Sequence, residues 1–252
     1  MTTSSSDKAT RIEYGEAPEQ FGDLYLPETS PGDGSFPVVV LIHGGFWRAQ
    51  YGLDLMVPLA EDLTTRGFAV WNIEYRRVGQ QGGGYPGTLD DVAAAVEELT
   101  AFAGDHRLDL DRVGIVGHSA GGHLALWSSG AGLDVVPVVG VGQGAVVDLT
   151  LGATRALGGG AVVDFLGGSP AEVPDRYTDA TPNLTAGPRM VSVVGSDDDI
   201  VPAEFSVLAD QPGTVELVPV VGADHFDLID PGGEAWAAVV AVLETELVTG
   251  GV

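Results

Sequence analysis

Residues 38–42 form an unbroken apolar run, VVVLI, with no polar alternation. Such a strand must be covered on both faces, so it belongs in the middle of a sheet. Beyond it the pattern alternates. Leu55, Met56, Leu59, Ala60 and Leu63 recur at helical spacing, and Arg66-Gly67 supplies a left-handed cap. Residues 68–73 predict the next strand. Thr88, followed by Asp90 and Asp91, predicts the N-cap and acidic first turn of a helix with Leu89, Val92, Ala93, Val96 and Leu99 as its buried stripe. Residues 113–116, 135–141, 189–194 and 215–220 read as strands and 120–129 as a helix. Residues 234–247 form a closing helix, with Trp236, Val239, Val240 and Leu243 on one face. Upstream, residues 11–14 and 21–26 predict an antiparallel edge hairpin, residues 31–34 a turn, and the Ser/Thr-rich residues 1–10 disorder. Repeated strand–helix units predict an α/β fold, a mainly parallel sheet with helices on both faces.

The 252 residues suit a single domain, spanning 1–252, at roughly 100–200 residues per domain, and no linker or internal repeat divides them. Residues 150–185 break the alternation with Gly158-Gly159-Gly160, Gly167-Gly168 and three prolines. A loop-rich insertion of this kind is expected to be a small lid or binding wall. Eleven Lys+Arg against 36 Asp+Glu give a net charge of −25. That balance argues against nucleic-acid and anionic-membrane partners, which need clustered Lys and Arg. With no cysteine there is no disulfide, thiolate metal site or Cys nucleophile. The first eight residues lack the apolar core of a secretory signal, and the longest apolar run is far short of the ~20 residues of a membrane helix. A cytoplasmic location is therefore expected. The oligomeric state is not set by the pattern, and a homodimer is compatible with it.

The chemistry concentrates at predicted strand ends. Gly117-His118-Ser119-Ala120-Gly121 has the G-x-S-x-G form of a nucleophile elbow, with a strand leading in and an apolar helix leading out. His43-Gly44-Gly45-Phe46-Trp47 directly follows the 38–42 strand. Its glycines let backbone N–H groups face a cleft, where they would stabilise an oxyanion together with the N–H of Ala120. A serine needs a base, and the base an orienting carboxylate. Of five histidines, His225 lies in a loop after the last strand and is free to reach Ser119. His118 and His123 are tied to the elbow, His43 is expected to organise the oxyanion loop, and His106 to be solvated. The carboxylate is one of Asp197, Asp198 and Asp199, after the 189–194 strand. Phe46, Trp47 and the insertion are candidate pocket walls, with Trp47 and His118 as substrate contacts.

Other signals carry less. Gly82–Gly87 matches G-x-G-x-x-G, but Pro86 interrupts it, it follows no strand and no lysine is near, which argues against phosphate cradling. The Asp197–Asp199 run matches no calcium loop, and neither a metal nor a cofactor is expected. Asp224 and Asp227, on either side of His225, are expected to be solvated.

Taken together, His43-Gly-Gly-Phe-Trp47, Asn72-Ile-Glu-Tyr-Arg76, Gly117-His-Ser-Ala-Gly-Gly-His123, Asp198-Asp-Ile-Val-Pro202 and His225-Phe226 resemble the α/β-hydrolase superfamily over nearly the whole chain. Within it the chain is similar to the esterase/lipase branch, in particular to kynurenine-formamidase-like and hormone-sensitive-lipase-like small esterases. The resemblance implies an α/β-hydrolase fold and selects Asp198, three residues before the Val of Val-Pro, as the acid. It maps the oxyanion donors to Gly45, Phe46 and Ala120. It departs from the hormone-sensitive-lipase pattern at Phe46, where a third glycine usually stands. The implied activity is a serine hydrolase with Ser119, His225 and Asp198 as its triad, acting on a small carboxylic ester or aryl-formamide. A peptidase, thioesterase, acyl transferase or non-hydrolytic ligand-binding protein on the same fold is the alternative. Acidic residues around the proposed acid and base predict poorer turnover of anionic acyl groups.

Overall fold

The computed structural model describes residues 9–29, 34–185, 187–208, 211 and 214–250. Residues 1–8 and most of the 31–34 turn, for which disorder and a turn are expected, lie outside the described residues. In chain order the elements are β1 (Ala9–Glu13), β2 (Phe21–Tyr25), β3 (Phe36–Ile42), α1 (Val57–Thr65), β4 (Ala69–Ile73), α2 (Gly87–Glu97), α3 (Leu99–His106) and β5 (Leu108–His118). There follow α4 (Ala120–Ser129), β6 (Val139–Gln143), α5 (Leu149–Thr154), α6 (Leu157–Leu166), α7 (Pro174–Ala180), β7 (Arg189–Gly195), β8 (Glu216–Val220) and α8 (Glu234–Leu243).

The eight strands form one sheet in the order β1-β2-β4-β3-β5-β6-β7-β8. β1 and β2 pair antiparallel at one edge, β2 is antiparallel to β4, and every later pairing is parallel. The apolar run in β3 is central, as its lack of alternation requires. Val38, Val40 and Ile42 join Leu89, Val92 and Leu124 in one core, while Val39 and Leu41 join Leu59, Leu63, Trp236 and Val239 in the other. Helices therefore cover both faces. Each fully buried aliphatic side chain contributes roughly 1.5–3 kcal/mol to holding the layers together. Among the described residues no helix is long and apolar enough to cross a membrane.

Several expected boundaries move, each for a local reason. Ala9 and Thr10 are ordered by pairing with Tyr25 and Leu24. Thr88 is not an N-cap. It lies inside α2, and its hydroxyl donates to the Arg76 carbonyl and accepts from the Gly84 amide at 3.1 Å. Of the stripe expected on α2, Ala93 is only half-buried and Ala95 takes the buried place. β6 starts at Val139, since Val136 is exposed and Pro137 has no amide for the ladder. It runs on to Gln143, glycine at 140 admitting α4 and glycine at 142 the loop at Ala145. An added Cβ there would sit 2.6 Å from Ser129 Oγ and from Ala145 Cβ, respectively. α8 ends at Leu243, and Glu244–Val248 winds on as a π-turn.

The insertion is largely helical and joined to the core. Phe165 and Val162 are buried, Phe165 O accepts from the Tyr85 amide at 2.8 Å, and Arg48 pairs with Asp164 at 2.9 Å.

Candidate active site

Ser119, Asp198, His225 and the 43–47 loop each follow the carboxyl end of a parallel strand, where open α/β sheets place their sites. Ser119 sits between the last residue of β5 and the first of α4, at φ 56° and ψ −119°. For a residue with a side chain this backbone costs on the order of 1–3 kcal/mol, and it persists only where the surroundings impose it. Here they do. A Cβ on Gly117 would lie 2.0 Å from Gly121 O, and one on Gly121 would lie 2.2 Å from Ile42 O. The Ser119 amide donates to Gln143 O at 2.8 Å, and Ser119 O accepts from the His123 amide at 3.1 Å.

The loop after β3 lies directly against the serine. A Cβ on Gly44 would be 2.7 Å from His118 O and 3.0 Å from Ser119 Cβ. Gly45, Phe46 and Trp47 then take three consecutive positive φ values, 109°, 56° and 54°. Among the described residues, the amides of Gly45, Phe46 and Ala120 have no hydrogen-bond acceptor. Three free donors beside one serine are what an oxyanion would require.

A buried network stands behind this loop. His43 Nε2 faces Glu74 Oε1 at 2.9 Å and its Nδ1 faces Gly44 O at 2.8 Å, so the imidazole bridges a carboxylate to the peptide group whose other end is the Gly45 amide. The His43 ring stacks on Tyr75 at 4.4 Å, and the Tyr75 hydroxyl donates to His43 O at 2.7 Å. Glu74 also accepts from the amides of Tyr75 and Leu53 and pairs with Arg77 at 3.1 Å. Burial opposes ionisation of Glu74, but the His43 hydrogen bond and charge, Arg77 and the Tyr75 amide outweigh it and hold the carboxyl below its usual range.

On the other side of Ser119, His225 Nδ1 donates to Asp198 Oδ2 at 2.7 Å. The backbone singles out Asp198 from its neighbours. Its Oδ1 accepts from the Ile200 and Val201 amides at 3.0 and 2.7 Å, and the side chain is buried, whereas Asp197 and Asp199 are exposed. Asp224 and Asp227 are exposed but not idle. Asp224 Oδ1 accepts from the amides of Phe226 and Asp227, and Asp227 Oδ2 from that of Asp224, which fixes the turn carrying His225. These backbone bonds hold the Asp224 carboxyl below its ordinary value. The Ser119 hydroxyl makes no hydrogen bond among the described residues. The structure thus pairs His225 with Asp198 and sets the loop after β3 against Ser119, but makes no bond between Ser119 and the His225 imidazole among the described residues.

Trp47 and His118, the two expected substrate contacts, are both buried. Trp47 is 0% exposed, stacks on Phe165 at 4.8 Å and donates from Nε1 to His123 Nδ1 at 3.3 Å. Its left-handed backbone turns the indole inward, making it a core residue. His118 is also buried. Its Nε2 donates to His225 O at 3.0 Å, and its ring lies 4.5 Å from that of His225, so it touches the candidate base and not an open cleft. Burial pushes its pKa down to about 3, and that of His123 down to about 4. Phe46 is half-buried and packs on Gly158 of the insertion. Sequence reasoning overlooked Glu74 and the Asp224–Asp227 clamp as positioning groups. A Glu directly after an apolar strand, in Asn72-Ile-Glu-Tyr-Arg76, was the available signal for the first.

Comparisons with known proteins agree with this architecture. Residues 22–133 match the BD-FAE family. The chain is 35% identical over 125 residues to an isoprenylcysteine alpha-carbonyl methylesterase of Arabidopsis thaliana, covering 45% of this chain and 26% of that protein. It is 30% identical over 114 residues to a kynurenine formamidase of Danio rerio, covering 45% of this chain and 36% of that one. The chain thus spans about a quarter to a third of the length of these relatives. A thermophilic esterase of Thermogutta terrifontis superposes with a TM-score of 0.76 at 20% identity, over 97% of this chain and 93% of the other. With its sheet order and strand-end site, the chain has the α/β-hydrolase fold, and just under half of it is similar in sequence to esterases and a formamidase.

Proposed function

We propose that the chain is a serine hydrolase cleaving a small carboxylic ester or aryl-formamide. The observation that carries this is the strained Ser119, held between three acceptor-free amides and the buried Asp198–His225 pair. In this reading Ser119 Oγ attacks the carbonyl carbon and His225 Nε2 takes its proton. Asp198 holds the imidazole through Nδ1 and stabilises the imidazolium. The amides of Gly45, Phe46 and Ala120 receive the oxyanion, each donor being worth roughly 3–4 kcal/mol of transition-state stabilisation. His225 then gives the proton to the departing alcohol or amine. Water repeats the sequence on the acyl-enzyme and regenerates Ser119.

The names of the relatives, a methylesterase and a formamidase, support acyl transfer from either oxygen or nitrogen leaving groups. The test is hydrolysis of short and long p-nitrophenyl esters and an N-formyl arylamine by wild type and Ser119→Ala, with a fluorophosphonate probe for covalent labelling. Turnover and labelling are expected for wild type alone. Activity retained in Ser119→Ala would overturn the assignment. Faster transfer to an added alcohol or amine than to water would move it to an acyl transferase.

A further inference from the structure

Among the described residues only two aromatic side chains are strongly exposed, Tyr51 at 44% and Phe226 at 55%. Single exposed apolar residues are ordinary. These two border the same site. Tyr51 lies on the oxyanion loop, where a Cβ on Gly45 would be 2.6 Å from its Cβ and Cδ2. Phe226 follows the base, and its ring stands edge-on to the His225 imidazole, centroids 5.6 Å apart at 82°. Neither ring is on a loose segment. The Phe226 amide is held by Asp224 Oδ1 at 2.8 Å, and Tyr51 lies against Gly45, where an added Cβ would meet its ring. The loop after β3 and the loop after β8 reach Ser119, at the end of β5, from opposite sides of the sheet order. The rings therefore stand on the two flanks of the nucleophile, one by the oxyanion donors and one by the base.

We propose that Tyr51 and Phe226 are specificity-determining residues that bracket a flat aromatic leaving group, making esters of uncharged phenols the preferred substrates. This rests on the hydrolase reading above. The base must deliver its proton to the departing oxygen, so whatever that oxygen carries passes beside His225, where Phe226 stands. A ring there gains an edge-to-face or offset contact that a saturated group does not. The adjacent carboxylates of Asp224 and Asp227, with Asp197 and Asp199 on the neighbouring loop, are all exposed and repel a negatively charged ring.

The test compares phenyl acetate, 2,2,2-trifluoroethyl acetate and 2,2,2-trifluoroethyl benzoate in wild type, Phe226→Leu, Phe226→Ala and Tyr51→Ala. Taking each variant-to-wild-type ratio cancels the intrinsic reactivity of the ester. For Phe226→Ala, kcat/KM on phenyl acetate is expected to fall about tenfold more than on trifluoroethyl acetate. Phe226→Leu, which keeps apolar bulk without the ring, should show most of that loss, and Tyr51→Ala a smaller one. Wild type should also prefer 4-acetoxybenzamide to 4-acetoxybenzoate at low salt, with the gap closing as salt is added. Equal losses on the two acetates, or a loss confined to the benzoate, would overturn the proposal while leaving the hydrolase reading intact. Absence of turnover on every ester, with no fluorophosphonate labelling of Ser119, would remove both.

Discussion

The imidazole of His118 donates its Nε2 hydrogen to the backbone carbonyl of His225 across 3.0 Å, so the residue before the candidate nucleophile holds the residue that carries the candidate base. Burial keeps this ring neutral at ordinary pH, which leaves Nε2–H as the single donor the contact needs. Removing it would strand a buried carbonyl, at a cost of about 1–3 kcal/mol, and loosen the loop above Ser119. His118→Phe should therefore lower kcat about tenfold to a hundredfold with KM within a factor of about three. His118→Asn, which can still donate, should recover part of the loss. Steady-state kinetics on one short ester checks this, and a change confined to KM would contradict it.

Glu74 acts at one remove on the other side of the serine. Through His43 it fixes the Gly44–Gly45 peptide, whose amide is an oxyanion donor in the proposed mechanism. Glu74→Gln keeps the shape but weakens the grip on His43 and Arg77. The expected result is a fall in kcat of about tenfold or more with little change in KM, because the misplaced donor matters most in the transition state. A purely structural role would lower the melting temperature and leave kcat per folded molecule intact, which active-site titration distinguishes.

What the residues made legible followed from local sterics. Ser119 could be read because its backbone tolerates only glycine at 117 and 121, and the central strand because an unbroken apolar run has few other places to go. Asp198 could not be told from Asp197 and Asp199 without the family pattern. The three differ only in direction, Asp198 turning to the Ile200 and Val201 amides while Asp197 takes the Ser196 hydroxyl. Trp47 looked like a pocket wall because the string around it does not reveal three successive left-handed residues. Glu74 was missed because its partner His43 lies 31 positions upstream, a contact made only by the pairing of β3 with β4.

Stability should depend on pH through the two buried histidines. His118 and His123 titrate at about 3 and about 4 in the folded protein, below the ordinary 6.5 they regain on unfolding. The unfolded state therefore binds more protons in the interval. Their stabilisation is complete above about pH 6.5 and is lost as pH falls toward 4, by up to about 1.4 kcal/mol per pH unit for each histidine. Glu74, also depressed, adds its loss only below the usual carboxylate range. Relief of the −25 self-repulsion acts in the opposite sense, so urea unfolding at pH 7, 6 and 5 should be run in about 0.3 M salt to screen it. A flat profile would show that the rings charge without unfolding.

The insertion should tune catalysis through Phe46. Gly158 holds φ 57°, and an added Cβ would lie 2.6 Å from the Phe46 ring. Gly158→Ala thus meets two penalties: about 1–2 kcal/mol for a left-handed alanine, and displacement of the ring of Phe46, whose amide is an oxyanion donor in the proposed mechanism. Stability and kcat should both fall. The two effects separate in a Phe46→Ala background, where the ring is gone. There Gly158→Ala should still cost the backbone penalty in urea unfolding, without the added cost of the Cβ–ring overlap, and should no longer lower kcat, so the two sites couple fully in activity and only in part in stability. Additive losses of kcat would mean that the insertion does not act on the site through Phe46.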